Sequence, residues 1–215
     1  MDYLSYIAAA IGAYLLGSVP TGYLVARAKG IDIRTVGSGN IGATNVFRIL
    51  GKPAGVFVLG ADALKGFLAC RLVANLAYGL FGVTDGGATA QEGLSIAAGI
   101  FAVLGHNYTC WLNFKGGKGI ATSAGVLVAL VPWALLVILA IWIVVFALTR
   151  YVSLGSIAAS FALPFAAWLT GSSLTLVLIV AGLGALAIYK HKGNIQRLLN
   201  GTESRVSFKR KPSTS

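Results

Sequence analysis

The stretch "VGSGNIGATNVFR", Val36 to Arg48, poses a choice between two folds. Gly37, Gly39 and Gly42 spell a formal G-x-G-x-x-G, and Asp62 follows twenty residues after the last glycine, where a dinucleotide site places its acidic residue. That reading needs a β-strand before the first glycine and a parallel βαβ unit around it. What precedes the glycines is instead the apolar "YLLGSVPTGYLVARAKG", and Asp62 lies inside the next apolar run. The dinucleotide reading is therefore rejected. A glycine-rich turn feeding a helix start still suits an anion, because backbone N–H groups there face outward and the helix dipole reinforces them. A helix over Ile41 to Leu50 places Asn45 and Arg48 on one face with the turn below, and Arg48 supplies a planar fork for phosphate. Gly39, Gly42, Thr44, Asn45 and Arg48 are candidate site residues on this basis, and Ser38 and Asn40 stand in the same stretch as further candidates. The competing reading is a solvated loop with an ordinary juxtamembrane arginine.

Composition decides the solvent. The chain of 215 residues is 57% hydrophobic and 11% charged, which excludes an ordinary soluble domain. Residues 3–26, 93–114, 119–149 and 151–189 hold no Asp, Glu, Lys or Arg, while a helical span needs only about 20 apolar residues. The 28 glycines suit close helix packing in lipid. Cys70 and Cys110 stand at no metal-like spacing, so neither disulfide nor metal is expected. The start "MDYLSYIAAA" lacks a basic n-region, so the first segment is expected to stay in the membrane.

Charge placement orients the spans. Arg27, Lys29 and Arg34 follow segment one, the loop "GVTDGGATAQEG" carries Asp85 and Glu92 with no positive charge, and Lys115 and Lys118 follow segment three. Splitting the next run at Pro132 gives a short helix near 117–131 and a longer one near 133–149, with further spans near 152–169 and 172–190. Every basic loop then faces the cytoplasm. The expectation is an all-α, polytopic membrane bundle of about seven crossings, amino terminus out and carboxyl terminus in, with one domain over 1–203 and a basic tail over 204–215. The fourth helix is its weak point, since about 15 residues cover only about 22 Å of a core about 30 Å thick.

Two further polar clusters lie on the same expected face. Lys115, Gly116, Gly117, Lys118 and Gly119 open the fourth helix with two cations and exposed amides, without Walker A spacing. The third, "YKHKGNIQRLLNGTE", contains His191, Asn194 and Glu203. Inside the second segment Asp62 and Lys65 sit one turn apart and can pair, offsetting part of an insertion penalty of about 2.5–3.5 kcal/mol each.

In that order and separated by apolar helices, "GSGNIGATNVFR", "GHNYTCWLNFKGGKGIAT" and "HKGNIQRLLNGTE" resemble the three cytoplasmic motifs of the bacterial acyl-phosphate-dependent glycerol-3-phosphate acyltransferases. "LLGSVPTGYL" and Asp62 with Lys65 and Gly66 extend the resemblance along nearly the whole chain. It implies an inner-membrane enzyme moving a fatty acyl group from acyl phosphate to the 1-position of glycerol 3-phosphate. It also implies essential roles for Ser38 and Arg48, glycerol 3-phosphate binding by Gly116, Gly117 and Gly119, activity dependent on His191 and Asn194, and a structural Glu203. Lys65, His106, Lys115 and Lys118 join the candidate binding set and Asp62 the structural one. No cofactor and no nucleic acid are expected; membrane lipid and a soluble enzyme producing acyl phosphate are candidate partners. The sequence between His106 and Lys115, "NYTCWLNF", departs from a more proline-containing expectation. Which loop holds which phosphate stays open, as does the proton acceptor: His191, His106 or a donor phosphate oxygen. A covalent acyl-serine on Ser38 is disfavoured because no Ser-His-Asp grouping is readable. A carrier of organic phosphate is the rival class, since glycine-broken helices and buried ions are also typical of transporters.

Overall fold

The computed structural model describes residues 3–81 and 87–206, so Asp85 and the tail from residue 207 lie outside the described residues. Regular structure among the described residues is helical throughout. The chain forms two compact units, Met1–Pro132 and Trp133–Ser215.

In the first unit, α1 (Tyr3–Ser18) and α2 (Thr21–Arg27) are separated by Val19 and Pro20, since proline brings no N–H to continue the ladder. A long loop leads to α3 (Ala43–Leu50), then α4 (Lys52–Leu68), a π-turn over Ala69–Val73, and α5 (Ala74–Phe81). After α6 (Gly87–Asn107) come a 3-10 turn at Cys110–Leu112 and the short α7 (Ile120–Leu130). The core is built from small residues, Ala9, Ala13, Ala69, Ala74, Ala77, Ala98 and Ala102 around Leu94, which lets backbones approach closely. α4 and α7 cross closely. A Cβ on Gly66 would overlap the Thr122 carbonyl oxygen, and one on Gly125 would overlap that of Ala63.

The second unit holds α8 (Pro132–Thr149), α9 (Val152–Leu169), α10 (Leu174–Lys190) and α11 (Lys192–Leu199). α8, α9 and α10 fall where the sequence places spans, and α11 is an added helix in the segment read as a polar cluster. Pro132 opens α8, a position where a missing N–H costs nothing.

Among the described residues, three helical stretches are long and apolar enough to cross a membrane, Tyr3–Arg27, α8 and α9, or four if α10 and α11, bent by 56°, count as one span. This is fewer than the seven expected from charge. The difference lies in the first unit, in α4, which contains an ion pair and ends in a π-turn, in α6, which does not count among the apolar stretches, and in α7, which is only 11 residues long.

Candidate active site

The first glycine loop is organised around one side chain. Asn45, 2% exposed, accepts the Ser38 N–H on Oδ1 at 2.9 Å, and its Nδ2 donates toward the carbonyls of Asn40, Val36 and Ile33 at 3.0, 3.1 and 3.3 Å. Gly37 has φ +61, and a Cβ there would collide with Asn45 Oδ1, so glycine is required both for the turn and for the approach. The Gly39 N–H donates to the Val36 carbonyl and the Gly42 N–H to Asn40 Oδ1. This corrects the expected cradle, because the amides of Ser38, Gly39 and Gly42 bind the loop itself. Asn45 likewise faces its own loop rather than outward with Arg48. What the loop presents is the exposed side chains of Ser38, Thr44 and Arg48, the last two one turn apart on α3, whose first turn no side chain caps.

Asp62 and Lys65 do pair, at 2.8 Å, with side chains 3% and 6% exposed. The Lys65 ammonium also donates to the Val19 carbonyl at 2.9 Å, and Thr21 Oγ1 donates to Asp62 Oδ1 at 3.1 Å. The pair therefore closes over the proline break between α1 and α2, which gives Lys65 a helix-joining task in place of an open binding one. Thr21 was not singled out from the sequence; its place directly after Pro20, opening a helix, is the signal that could have found it. His106 Nδ1 lies 3.7 Å from Asp62 Oδ1, and the ring is 5% exposed.

The second glycine loop wraps the carboxyl end of α6. The N–H groups of Gly116 and Gly117 donate to the carbonyls of Asn107 and His106, at 3.2 and 3.0 Å. These two amides close the end of α6 and are not exposed at a helix start, so their contribution to a cradle is shape. A Cβ on Gly117 would overlap His106 Nε2, so this glycine seats the ring. Gly119, with φ +81, turns the chain into α7. Lys115 is exposed and Lys118 half-buried at either side of the glycines.

In the second unit His191 and Asn194 are buried at the bend between α10 and α11. His191 Nδ1 stands 2.7 Å from the Ala187 carbonyl, an acceptor, so the proton of the neutral ring is on Nδ1 and the lone pair on Nε2. Glu203 accepts from Asn194 Nδ2, Ser153 Oγ and Arg197 Nε at 2.7, 2.8 and 2.7 Å. Burial opposes its charge, but these hydrogen bonds and the Arg197 cation together outweigh burial and hold its carboxyl below the usual glutamate range. Glu203 thus ties α11 to the start of α9; Ser153 is a partner the sequence did not announce.

A half-open cavity of about 330 Å³ among Cys70, Arg71, Asn75, Gln91, Glu92 and Ser95 contains none of the expected site residues. Arg71 there donates to the Ala129 carbonyl near the end of α7, where a cation meets the negative end of a helix.

Residues 7–201 match the family described as glycerol-3-phosphate acyltransferase. Proteins of that name are 50% identical over 199 residues in Desulforudis audaxviator, covering 92% of this chain and 94% of the relative, and 43% identical over 215 residues in Clostridioides difficile, covering 98% and 100%. A crystal structure of an integral membrane glycerol 3-phosphate acyltransferase, PlsY, in its glycerol 3-phosphate form superposes with a TM-score of 0.82 at 41% identity, covering 94% of this chain and 96% of that one. Its lysophosphatidic acid form gives 0.79 at 40%, with the same coverage. With the family's match running from α1 to the end of α11, this chain belongs to the glycerol-3-phosphate acyltransferases, a family of membrane acyl-transferring enzymes.

Proposed function

We propose that this enzyme transfers a fatty acyl group from acyl phosphate to the 1-position of glycerol 3-phosphate, releasing lysophosphatidic acid and inorganic phosphate. The observation that carries the proposal is the exposed set Ser38, Thr44 and Arg48, held by a loop whose own amides are internally satisfied, in a chain of this family. Such a loop recognises a phosphate through a guanidinium and hydroxyls of fixed geometry. Lys115 and Lys118, flanking glycines folded onto α6, offer a second positively charged seat. Two seats suit a reaction in which both substrates carry phosphate and the main tasks are positioning and charge neutralisation.

In this proposal the C1 hydroxyl oxygen attacks the acyl carbonyl carbon, the acyl carbon–oxygen bond to phosphate breaks, and the hydroxyl proton leaves on the departing phosphate. Both histidines are buried, His106 at 5% and His191 at 3% exposure, which favours the phosphate as proton acceptor over either ring. His191, Asn194 and Glu203 then shape the α10–α11 bend. Residues 1–203 form the catalytic domain, in a bacterial inner membrane with seven crossings, amino terminus out, and the basic loops and active site cytoplasmic. Membrane lipid receives the product, and a soluble enzyme supplies acyl phosphate.

The test is an assay in detergent with labelled glycerol 3-phosphate and either palmitoyl phosphate or palmitoyl coenzyme A. Product from the phosphate donor alone is expected, with Ser38→Ala and Arg48→Lys each lowering kcat/KM by about 100-fold. Equal use of coenzyme A, or near-normal turnover in both variants, overturns the proposal.

A further inference from the structure

We infer that Asn45 is a positioning residue for Ser38: it contacts no substrate, and it sets where the Ser38 hydroxyl points. This rests on the reading of Ser38 as an acting residue given above.

The inference starts from hydrogen-bond capacity. A neutral amide side chain has two N–H donors and one carbonyl oxygen. In Asn45 the oxygen receives the Ser38 N–H, and the nitrogen faces three carbonyls at 3.0–3.3 Å, spread over residues 33 to 40. The side chain is thus bonded on both ends to the loop that bears Ser38. Its backbone belongs to α3, where the Asn45 N–H donates to the Gly42 carbonyl at 3.0 Å. One residue therefore couples a helix to a loop without secondary structure of its own. Ser38 is exposed and lies between Gly37 and Gly39, both at positive φ, and without a Cβ neither neighbour restricts the backbone around it. Fixing the Ser38 N–H fixes the peptide plane entering that residue, and with it the directions its hydroxyl can take.

An exposed serine between two glycines does not hold a catalytic geometry unaided. A displacement of about 1 Å at a reacting group costs about 100-fold in rate. Asn45→Ala removes every side-chain contact named above and should lower kcat/KM by about 100-fold, shifting kcat and KM in the same proportion as Ser38→Ala does. Gly37→Ala disturbs the same contact from the other side, because the added methyl meets Asn45 Oδ1, and it also strains the turn at φ +61, so it is read beside Asn45→Ala.

The experiment is a double-mutant cycle on the full-length enzyme in detergent, with kcat, KM and thermal midpoint measured for Ser38→Ala, Asn45→Ala, Gly37→Ala and the doubles. If Asn45 acts through Ser38, Asn45→Ala and Gly37→Ala each cost less than about threefold once Ser38 is already alanine. Additive losses in the doubles show a general effect on the fold and overturn the inference. Near-normal activity of Ser38→Ala alone defeats the reading of Ser38, a result separate from additivity. If Asn45→Ala does not fold, Asn45→Ser takes its place in the cycle, because it loses the same reach to the Ser38 N–H while keeping a polar group in the buried position.

Discussion

Glu203 receives three donors on two carboxylate oxygens, and removing it leaves Asn194, Ser153 and Arg197 without that acceptor. Orphaning such donors costs about 1–3 kcal/mol each when buried, and less for Arg197, whose side chain is 42% exposed. The folded carboxyl titrates below its ordinary value, so its contribution is complete above the unfolded pKa of about 4.3 and is lost as pH falls through the lower folded value. Thermal midpoints of the detergent-solubilised enzyme should therefore drop below about pH 4, and Glu203→Gln should flatten that acid limb. An identical acid limb in the variant would assign the loss to other carboxylates. Asp32 makes the contrast: hydrogen bonds from Arg34 lower its pKa to about 2, yet it lies at the surface, where solvent screens the pair.

At the scale of the element, α4 and α7 touch backbone to backbone. In lipid no hydrophobic force drives helices together, so association depends on the contact area that small residues permit. Gly66 and Gly125 make that contact reciprocal, each lying against a carbonyl of the other helix. Gly125→Leu should separate the helices at a cost of about 1–3 kcal/mol in thermal stability and lower activity, through the shift of α7 and the glycine loop before it. A variant as stable as the parent would mean the crossing yields without cost. In the second unit α8, α9 and α10 were legible because their runs hold no charge before the last residue and are bounded by Pro132 or Gly171, so that α9 occupies the expected 152–169, whereas α11, with Lys192 and Arg197, was not announced. The Asp62–Lys65 pair was legible from one-turn spacing. The use of the loop amides was not, because letters say that a glycine N–H is accessible but not whether it meets a ligand or a carbonyl of its own chain. Asn45 shows why: helical spacing put it on a face with Arg48, whereas the loop of residues 33–40 folds back over it.

For the whole molecule, the proposed topology gives a reason, in depth, why α7 is short. Nineteen residues of helix separate Lys52 from Arg71, about 28 Å at 1.5 Å per residue, close to the full hydrocarbon thickness, and Asp62 falls about halfway. His106 lies beside Asp62, and the loop that precedes α7 is folded onto His106 and Asn107. On the proposed topology α7 therefore starts near mid-membrane and crosses only the outer half, for which 11 residues, about 16 Å, suffice. Non-helical backbone at that depth must be enclosed by protein, and Gly117 and Gly119 are buried accordingly. This makes a labelling prediction in a Cys70 and Cys110 replaced background. Ser38→Cys and Lys115→Cys should react with a membrane-impermeant thiol reagent only from the cytoplasmic side, in inverted vesicles. Gln91→Cys, exposed at the other end of α6, should react only in intact cells. Reaction of Ser38→Cys and Lys115→Cys from opposite sides would remove the common face on which two phosphate seats depend, and labelling of Gln91→Cys from the cytoplasmic side would reverse the depth assigned to α6 and α7.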